Sequence, residues 1–505
     1  MTLFSHRYTT TVIATILLGT SASADVTAQQ VWDSWKENTA IYGEGFTVGS
    51  EVMSGDTLTI SDIAIEVSDE EATVQADLGT MTLTENGDGT VTVVMADSYP
   101  MVVELTPEYG EPATLNMTIS QNGMSLVVSG APDAMVYDIA ADSYALSVDS
   151  IEGGDSDEFD LQEAVITFSD IAGQYSLRTE NLQYLDYQLT FGAVNLNVLL
   201  TETGGSGVVQ GNADIADLQT YAKIAMPLDY ETIDPDAVFK EGFAIEGGYA
   251  FGAVGYSFDV NADGEEASGN MSVDRGQLAV AFDMDGLSYI GESIGIAISL
   301  FIPSEIPFPL DATLGAYGFD MQVPLSQGAG ERDARIAFNL TDLALSDTIW
   351  NLLDPAAVLP RDPATVALGL DAKVTPFFDM LDPEQQQAMM MADIPGELNS
   401  LTLSTLNVSL AGAQVSGGGS FTFDNSDLET FDGLPRPEGA MTFAINGVNG
   451  LIDKLVQMDL IPTEEAMMPR MMMGMFATPV GDDMMTSTIE VNSEGHVLAN
   501  GQRLR

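Results

Sequence analysis

From Leu58 onward, apolar residues return at every second position. The pairs and triplets are Leu58 and Ile60, then Ile63, Ile65 and Val67, Met81 and Leu83, Val91 and Val93, Met101, Val103 and Leu105, and Leu115, Met117 and Ile119. A strand turns successive side chains to opposite faces, so this period predicts half-buried antiparallel strands and is incompatible with amphipathic helices. ENGDGT (85–90) and QNG (121–123) place Asn-Gly and Asp-Gly pairs between the runs, which suits tight hairpins. Residues from about 44 to 345 therefore read as one strand-after-strand meander. IGIAISLFI (294–302), the longest apolar run after the first residues, is too short to span a bilayer as a helix and reads as a strand buried on both faces.

Helical signals stand at the two ends of this pattern. In TAQQVWDSWKENTAIYG, Thr27 with Gln30 forms a capping box, Ala28, Val31, Trp32 and Trp35 share a helical face, and Gly43 is a fitting stop. Four Asp-Pro pairs, at 234, 354, 362 and 382, predict helix starts, because aspartate caps and proline is tolerated at the first helical position. Three of them predict a helical insertion around 346–394. Strands resume at 401–423, followed by a helix over NGLIDKLVQMDLIP, a methionine helix and the hairpin TSTIEVNSEGHVLANG. The predicted fold is mainly β, with elongated, curved antiparallel sheets, a helical insertion and C-terminal helices. Its expected parts are residues 1–24, 25–230, 231–345, 346–400 and 401–505. The short repeat Ser61-Asp62-Ile63-Ala64, Ser169-Asp170-Ile171-Ala172 and Thr341-Asp342-Leu343-Ala344 is unevenly spaced, so a regular solenoid is not expected.

The first residues carry Arg7, an apolar run from Val12 to Leu18 and a small-x-small site ending at Ala24, the pattern of a signal peptide cleaved near Ala24. The expected location is the periplasm or the exterior, with no membrane span after cleavage. Without cysteine there is no disulfide, thiolate metal site or thiol nucleophile. Residues 25–505 hold 14 basic and 76 acidic side chains (14 − 76 = −62), a field that repels phosphates and excludes nucleic acid as a partner. A hydrophobic content of 45% argues against disorder.

MMPRMMMGMF (467–476) is the densest cluster of one residue type in the chain. Met468, Met471, Met472 and Met475 fall at i, i+3, i+4 and i+7, with Phe476 continuing the face. That spacing fits core packing best, then a surface touching a ligand or partner, and third a soft-metal site for Cu(I). DVNADGEEASGN (259–270) places Asp259, Asn261, Asp263 and Glu265 around Gly264 like the first half of a calcium loop, but Asn270 stands where a bidentate Glu belongs. The same letters suit a hairpin tip. The one histidine after Ala24, His496, lies in a turn-rich tail, so a Ser-His-acid site is not expected, and no catalytic or cofactor-binding residue is singled out.

VWDSW (31–35), SGDTLTISD (54–62), ENGDGTVTV (85–93), LPRDPATV (359–366), FDNSDLETFDG (423–433), NGLIDKL (449–455) and GHVLANGQRL (495–504) resemble an uncharacterised family of secreted Gram-negative proteins, domain of unknown function 2125. The resemblance implies no known activity, cofactor or site residue. More loosely, the architecture is similar to AsmA-like lipid-handling envelope proteins with long curved sheets. The expected function is non-enzymatic binding of a lipid or an envelope protein, the alternative being a calcium-binding acidic protein.

Overall fold

The computed structural model describes residues 25–39, 45–69, 71–107, 111–154, 159–228, 230, 233–234, 237–262, 264–328, 330–392 and 394–505. The expected signal peptide lies outside them. The chain is mainly β: among the described residues 27 strands, all antiparallel to their neighbours, form one sheet, accompanied by α1 (Ala28–Thr39), α2 (Asp347–Leu353), α3 (Pro383–Met391), α4 (Val448–Gln457) and α5 (Thr463–Phe476). No helix among the described residues is long and apolar enough to cross a membrane.

Strand order follows the chain closely. Thr57–Ser68 pairs with Ala72–Glu85, and the long strands Ala134–Gly153, Phe159–Thr179, Leu182–Glu202 and Val208–Pro227 pair in sequence. So do Gly286–Ile302, Ile306–Pro324, Arg332–Leu345, Ala364–Pro376, Gly396–Leu410, Ala413–Asp424 and Arg436–Asn446, with Met484–Val491 against the last of these. Between the two groups, one rank is shared by Ala244–Phe251 and Val254–Ala262, and the next by Arg275–Phe282 and Glu265–Val273. The result is about twenty ranks, roughly 90 Å of sheet at ~4.8 Å per rank. Among the described residues no pairing joins the first ranks to the last, so the sheet is open. Hydrogen bonding crosses the expected boundaries near 230 and 345 without a break.

A crease runs across the ranks, and it is built by aspartate and glycine. Asp62, Asp170, Asp217 and Asp342 sit inside strands with φ of 56°, 52°, 53° and 56°. Aspartate tolerates this left-handed conformation better than most side-chain-bearing residues. Facing them on neighbouring chain segments are glycines: a Cβ on Gly49 would lie 2.6 Å from Asp62, on Gly192 2.9 Å from Asp170 and on Gly315 3.1 Å from Asp342. At the same level, Gly295 takes φ 70° against Asp274. The unevenly spaced Ser/Thr-Asp-Ile/Leu-Ala repeat thus has one structural role, because its three aspartates all lie on this line.

The alternation shifts by one where the strands cross the crease. The apolar positions of Phe159–Thr179 are Ala164, Ile166 and Phe168 before Asp170, but Ile171, Tyr175 and Leu177 after it. In Leu182–Glu202 they change from Leu185, Tyr187, Leu189 and Phe191 to Val194, Leu196 and Val198 across Gly192. Phe168 and Phe191 come from opposite sides of the crease, yet their ring centroids are 5.5 Å apart. The two halves of the sheet therefore share one apolar face.

The packed core lies at the N-terminal end of that face. The capping box forms as expected, with Thr27 N–H donating to Gln30 Oε1 (3.0 Å) and Gln30 N–H to Thr27 Oγ1 (3.2 Å). α1 then lays Val31 and Trp32 over Leu58, Ile60, Ile63, Leu83, Val91 and Val128, all nearly sealed from solvent. Trp35 stacks on Tyr137 at 6.3 Å. Elsewhere the sheet is thinly covered: the chain exposes 29105 Å² against roughly 18,000 Å² for a compact protein of 53.6 kDa, an excess larger than the residues outside the described set could supply.

The segment expected to be a helical insertion holds α2 and α3, but Ala364–Pro376 between them is a strand paired on both sides. Its letters, TVALGLDAKV, alternate, and that period prevails over the Asp-Pro punctuation. Within this segment only Asp382 caps a helix as expected, accepting from Glu384 N–H at 3.1 Å. Asp354 instead ends α2 and turns inward, where its Oδ2 accepts from Leu359 N–H at 2.7 Å and its other oxygen is buried without a partner. The backbone donor holds its carboxyl below the usual carboxylate range. Asp362-Pro363 lies in the irregular lead-in to the strand, and Pro235 is outside the described residues.

Candidate functional site: a bare apolar face

Directly opposed residues in an antiparallel sheet point to the same side, so the register defines what each face carries. One ladder starts at Leu58 and runs through Leu83, Val93, Leu126, Ile139, Gly173, Leu189, Thr220, Tyr249, Leu278, Gly291, Phe319, Phe338, Leu368 and Leu406 to Gly417 and Phe443. Two residues along, a second passes through Tyr137, Tyr175, Tyr187, Ala222, Gly247, Val280, Tyr289, Met321, Ile336 and Leu370. Beyond the crease, Leu146, Ile166, Leu196, Ala213, Tyr256, Met271 and Ile298 form a third. None of these ladder positions is ionisable at neutral pH.

In the middle of the sheet the charged side chains lie on the other face. Lys223 pairs with Glu246 (3.5 Å), Lys373 with Asp333 (2.8 Å), and Arg335 bridges Asp320 (2.7 Å) and Asp371. Arg335 is opposed by Gln322 and Asp371, one position out of step with the apolar Ile336. Period-two alternation thus makes this part of the sheet amphipathic, while Glu51 and Glu85 stand on the apolar side only at its edge, where they meet Lys36 and the Ala28 N–H of α1.

Covered at α1, the apolar face is bare in its middle. Tyr249, Tyr289, Tyr317, Ile336, Val366 and Leu368 are exposed by 37 to 50%. Near the centre Gly291 replaces a side chain, leaving a notch of about 390 Å³ walled by Tyr249, Leu278, Tyr289, Tyr317 and Phe319. Tyr289 meets Phe319 at 5.9 Å and Tyr317 meets Phe338 at 5.7 Å. At one rim Phe239 packs on Phe282 (4.3 Å), and its neighbour Lys240 is tied to Asp382 (3.2 Å) and Glu384 (3.1 Å) of α3. Across the crease, Tyr99 and Tyr144 share a hydrogen bond of 3.0 Å, and burial pushes the Tyr99 phenol well above its usual range.

The candidate residues from the sequence fall elsewhere. Met468, Met471, Met472 and Met475 form no core: they are 65, 63, 52 and 57% exposed on α5. The favoured core reading is therefore overturned. Helical spacing gave a stripe, but α5 buries Ala466 and half-buries Met473 and Phe476, which lie on a different face. Asp259 and Asn261 occupy alternate positions of Val254–Ala262, whereas Glu265 opposes Ala262 and so points to the other side. Asp263 lies outside the described residues. Among the described residues no three acidic or histidine side chains gather as a metal cluster. His496 sits in a turn, its Nδ1 3.1 Å from Glu494.

The sequence alone does not identify the residues of the bare face. Its signal was the change of parity within single runs, as in Leu58 and Ile60 followed by Ile63 and Ile65, but which strands lie side by side appears only with the register. No curated protein matches the chain. A family model does match its C-terminal part, from the strand Ile306–Pro324 to the closing hairpin: residues 312–499 correspond to the uncharacterized protein family conserved in bacteria, DUF2125.

Proposed function

We propose that this protein binds lipid acyl chains along the bare middle of its apolar sheet face, and that it does so in the periplasm or outside the cell, after cleavage near Ala24. The observation that carries the reading is the continuous uncharged, mainly apolar ladder from Leu58 to Phe443, covered at one end and open between. An exposed apolar surface of this extent in a water-soluble chain marks a binding site. Its chemistry favours a wholly apolar occupant over a protein: protein interfaces carry about one hydrogen bond per 100–200 Å². This face offers little beyond tyrosine hydroxyls, Thr220 and Ser293. Each methylene brought onto it contributes about 0.8 kcal/mol. Binding, not catalysis, is the role supported.

The test is native mass spectrometry of protein purified without detergent from a bacterial host, followed by organic extraction. Bound lipid is expected on the natural chain, and a lower occupancy when Tyr289→Asp and Ile336→Asp are combined. A lipid-free natural chain overturns the reading.

A further inference from the structure

We propose that the exposed methionine face of α5 is a binding site for a soft monovalent cation, Cu(I) or its analogue Ag(I). Accessibility is the first ground. Four thioethers at 468, 471, 472 and 475 stand in solvent, so they are available as ligands in a way core methionines are not. Geometry is the second. Residues three and four apart on a helix have Cβ atoms about 5–6 Å apart, and the long, flexible methionine side chain lets two or three sulfurs meet at one ion. Thioether sulfur selects soft ions such as Cu(I) over zinc, calcium or magnesium.

Electrostatics supply the third ground. Met472 and Met475 lie in the last turns before Ala477, the end of a helix where the backbone dipole favours cations. Arg470 is the single cation of α5, and its charge is engaged by Asp453 of α4 at 2.5 Å. Glu464 and Glu465 open the same helix, and the strongly acidic surface raises the local concentration of any cation. Leucine would serve an apolar contact equally well, so the sulfur is what distinguishes this site from a greasy patch.

Ag(I) titration of the full chain by isothermal calorimetry tests the assignment, with anaerobic Cu(I) competition against bicinchoninate as the second probe. Replacing Met468, Met471, Met472 and Met475 by leucine keeps the apolar surface and removes the sulfur. At least tenfold weaker binding is expected for that variant, with circular dichroism unchanged. The variant Met389→Leu, Met390→Leu, Met391→Leu, altered at the exposed end of α3, is expected to bind like the natural chain. No binding by the natural chain, or undiminished binding by the α5 variant, overturns the proposal.

Discussion

The N-terminal end of the sheet and its middle carry the same apolar ladder and differ in what lies on it. At the end, α1 seals Leu58, Ile60 and Leu83 to 1% exposure or less. In the middle, Tyr289, Tyr317 and Ile336 stand 38 to 50% exposed on the same face. Strand alternation decides which face is apolar, but a covering element decides whether that face becomes core or surface. One pattern therefore serves stability at one end and leaves recognition to the other.

The strongest contrast should appear in truncations. Trp32→Ala is expected to cost about 3–5 kcal/mol, because a sealed aromatic leaves a cavity, whereas Ile336→Ala should cost under about 1.5 kcal/mol. Urea unfolding followed at the tryptophans measures both. Equal losses would break the division between core and bare face.

The crease links the two regions and can be tested separately. Gly192→Ala would place a Cβ 2.9 Å from the Asp170 side chain inside two long paired strands. A loss of about 1–3 kcal/mol is expected, from strain of the overpacking kind. Shortening the opposing side chain by Asp170→Gly should relieve part of it, and a double-mutant cycle on thermal unfolding reads the coupling.

Filling the notch sharpens the functional half of the comparison. A Cβ at Gly291 meets nothing closer than 3.4 Å, so Gly291→Leu should fold normally while occupying the space between Tyr249, Tyr289 and Tyr317. Binding of a fluorescent fatty acid is expected to weaken several-fold, with the unfolding midpoint shifted little. Unchanged affinity would remove the notch from the site.

The smallest effect is one of pH. Ser426, through its hydroxyl and its backbone N–H, and then Arg436 hold the Asp424 carboxyl below its usual range; the Thr430 backbone N–H and hydroxyl, with Arg436, do the same for Asp427. A lowered folded-state pKa means stability that is present above the ordinary carboxylate range and lost as pH falls through the lowered value. Unfolding midpoints are therefore expected to stay flat above about pH 5 and to decline below about pH 4. Arg436→Gln should flatten part of that decline.

Much of the fold was legible because alternation is a local signal. Ile63, Ile65 and Val67 announce a strand whatever lies beside them, and Thr27 with Gln30 announces the start of α1. The strand Ala364–Pro376 was obscured because three Asp-Pro pairs in its vicinity carry helix-start chemistry, of which only Asp382 is used that way. The methionines misled for a different reason. Spacing reports that Met468, Met471, Met472 and Met475 share a face but not whether anything covers it. For the bare face the missing knowledge was also one of neighbours: Tyr249, Leu278 and Phe319 are far apart in sequence and meet only through the register.

The most direct measurement is photo-crosslinking with a diazirine fatty acid, the modified residues being located by peptide mass spectrometry. Labels are expected on Tyr249, Tyr289, Tyr317, Ile336 and Leu368, with Lys223, Glu246 and Gln322 of the opposite face left clean. Labels spread equally over both faces, or absent from the middle of the apolar one, would contradict the assignment of that face as the lipid-binding surface.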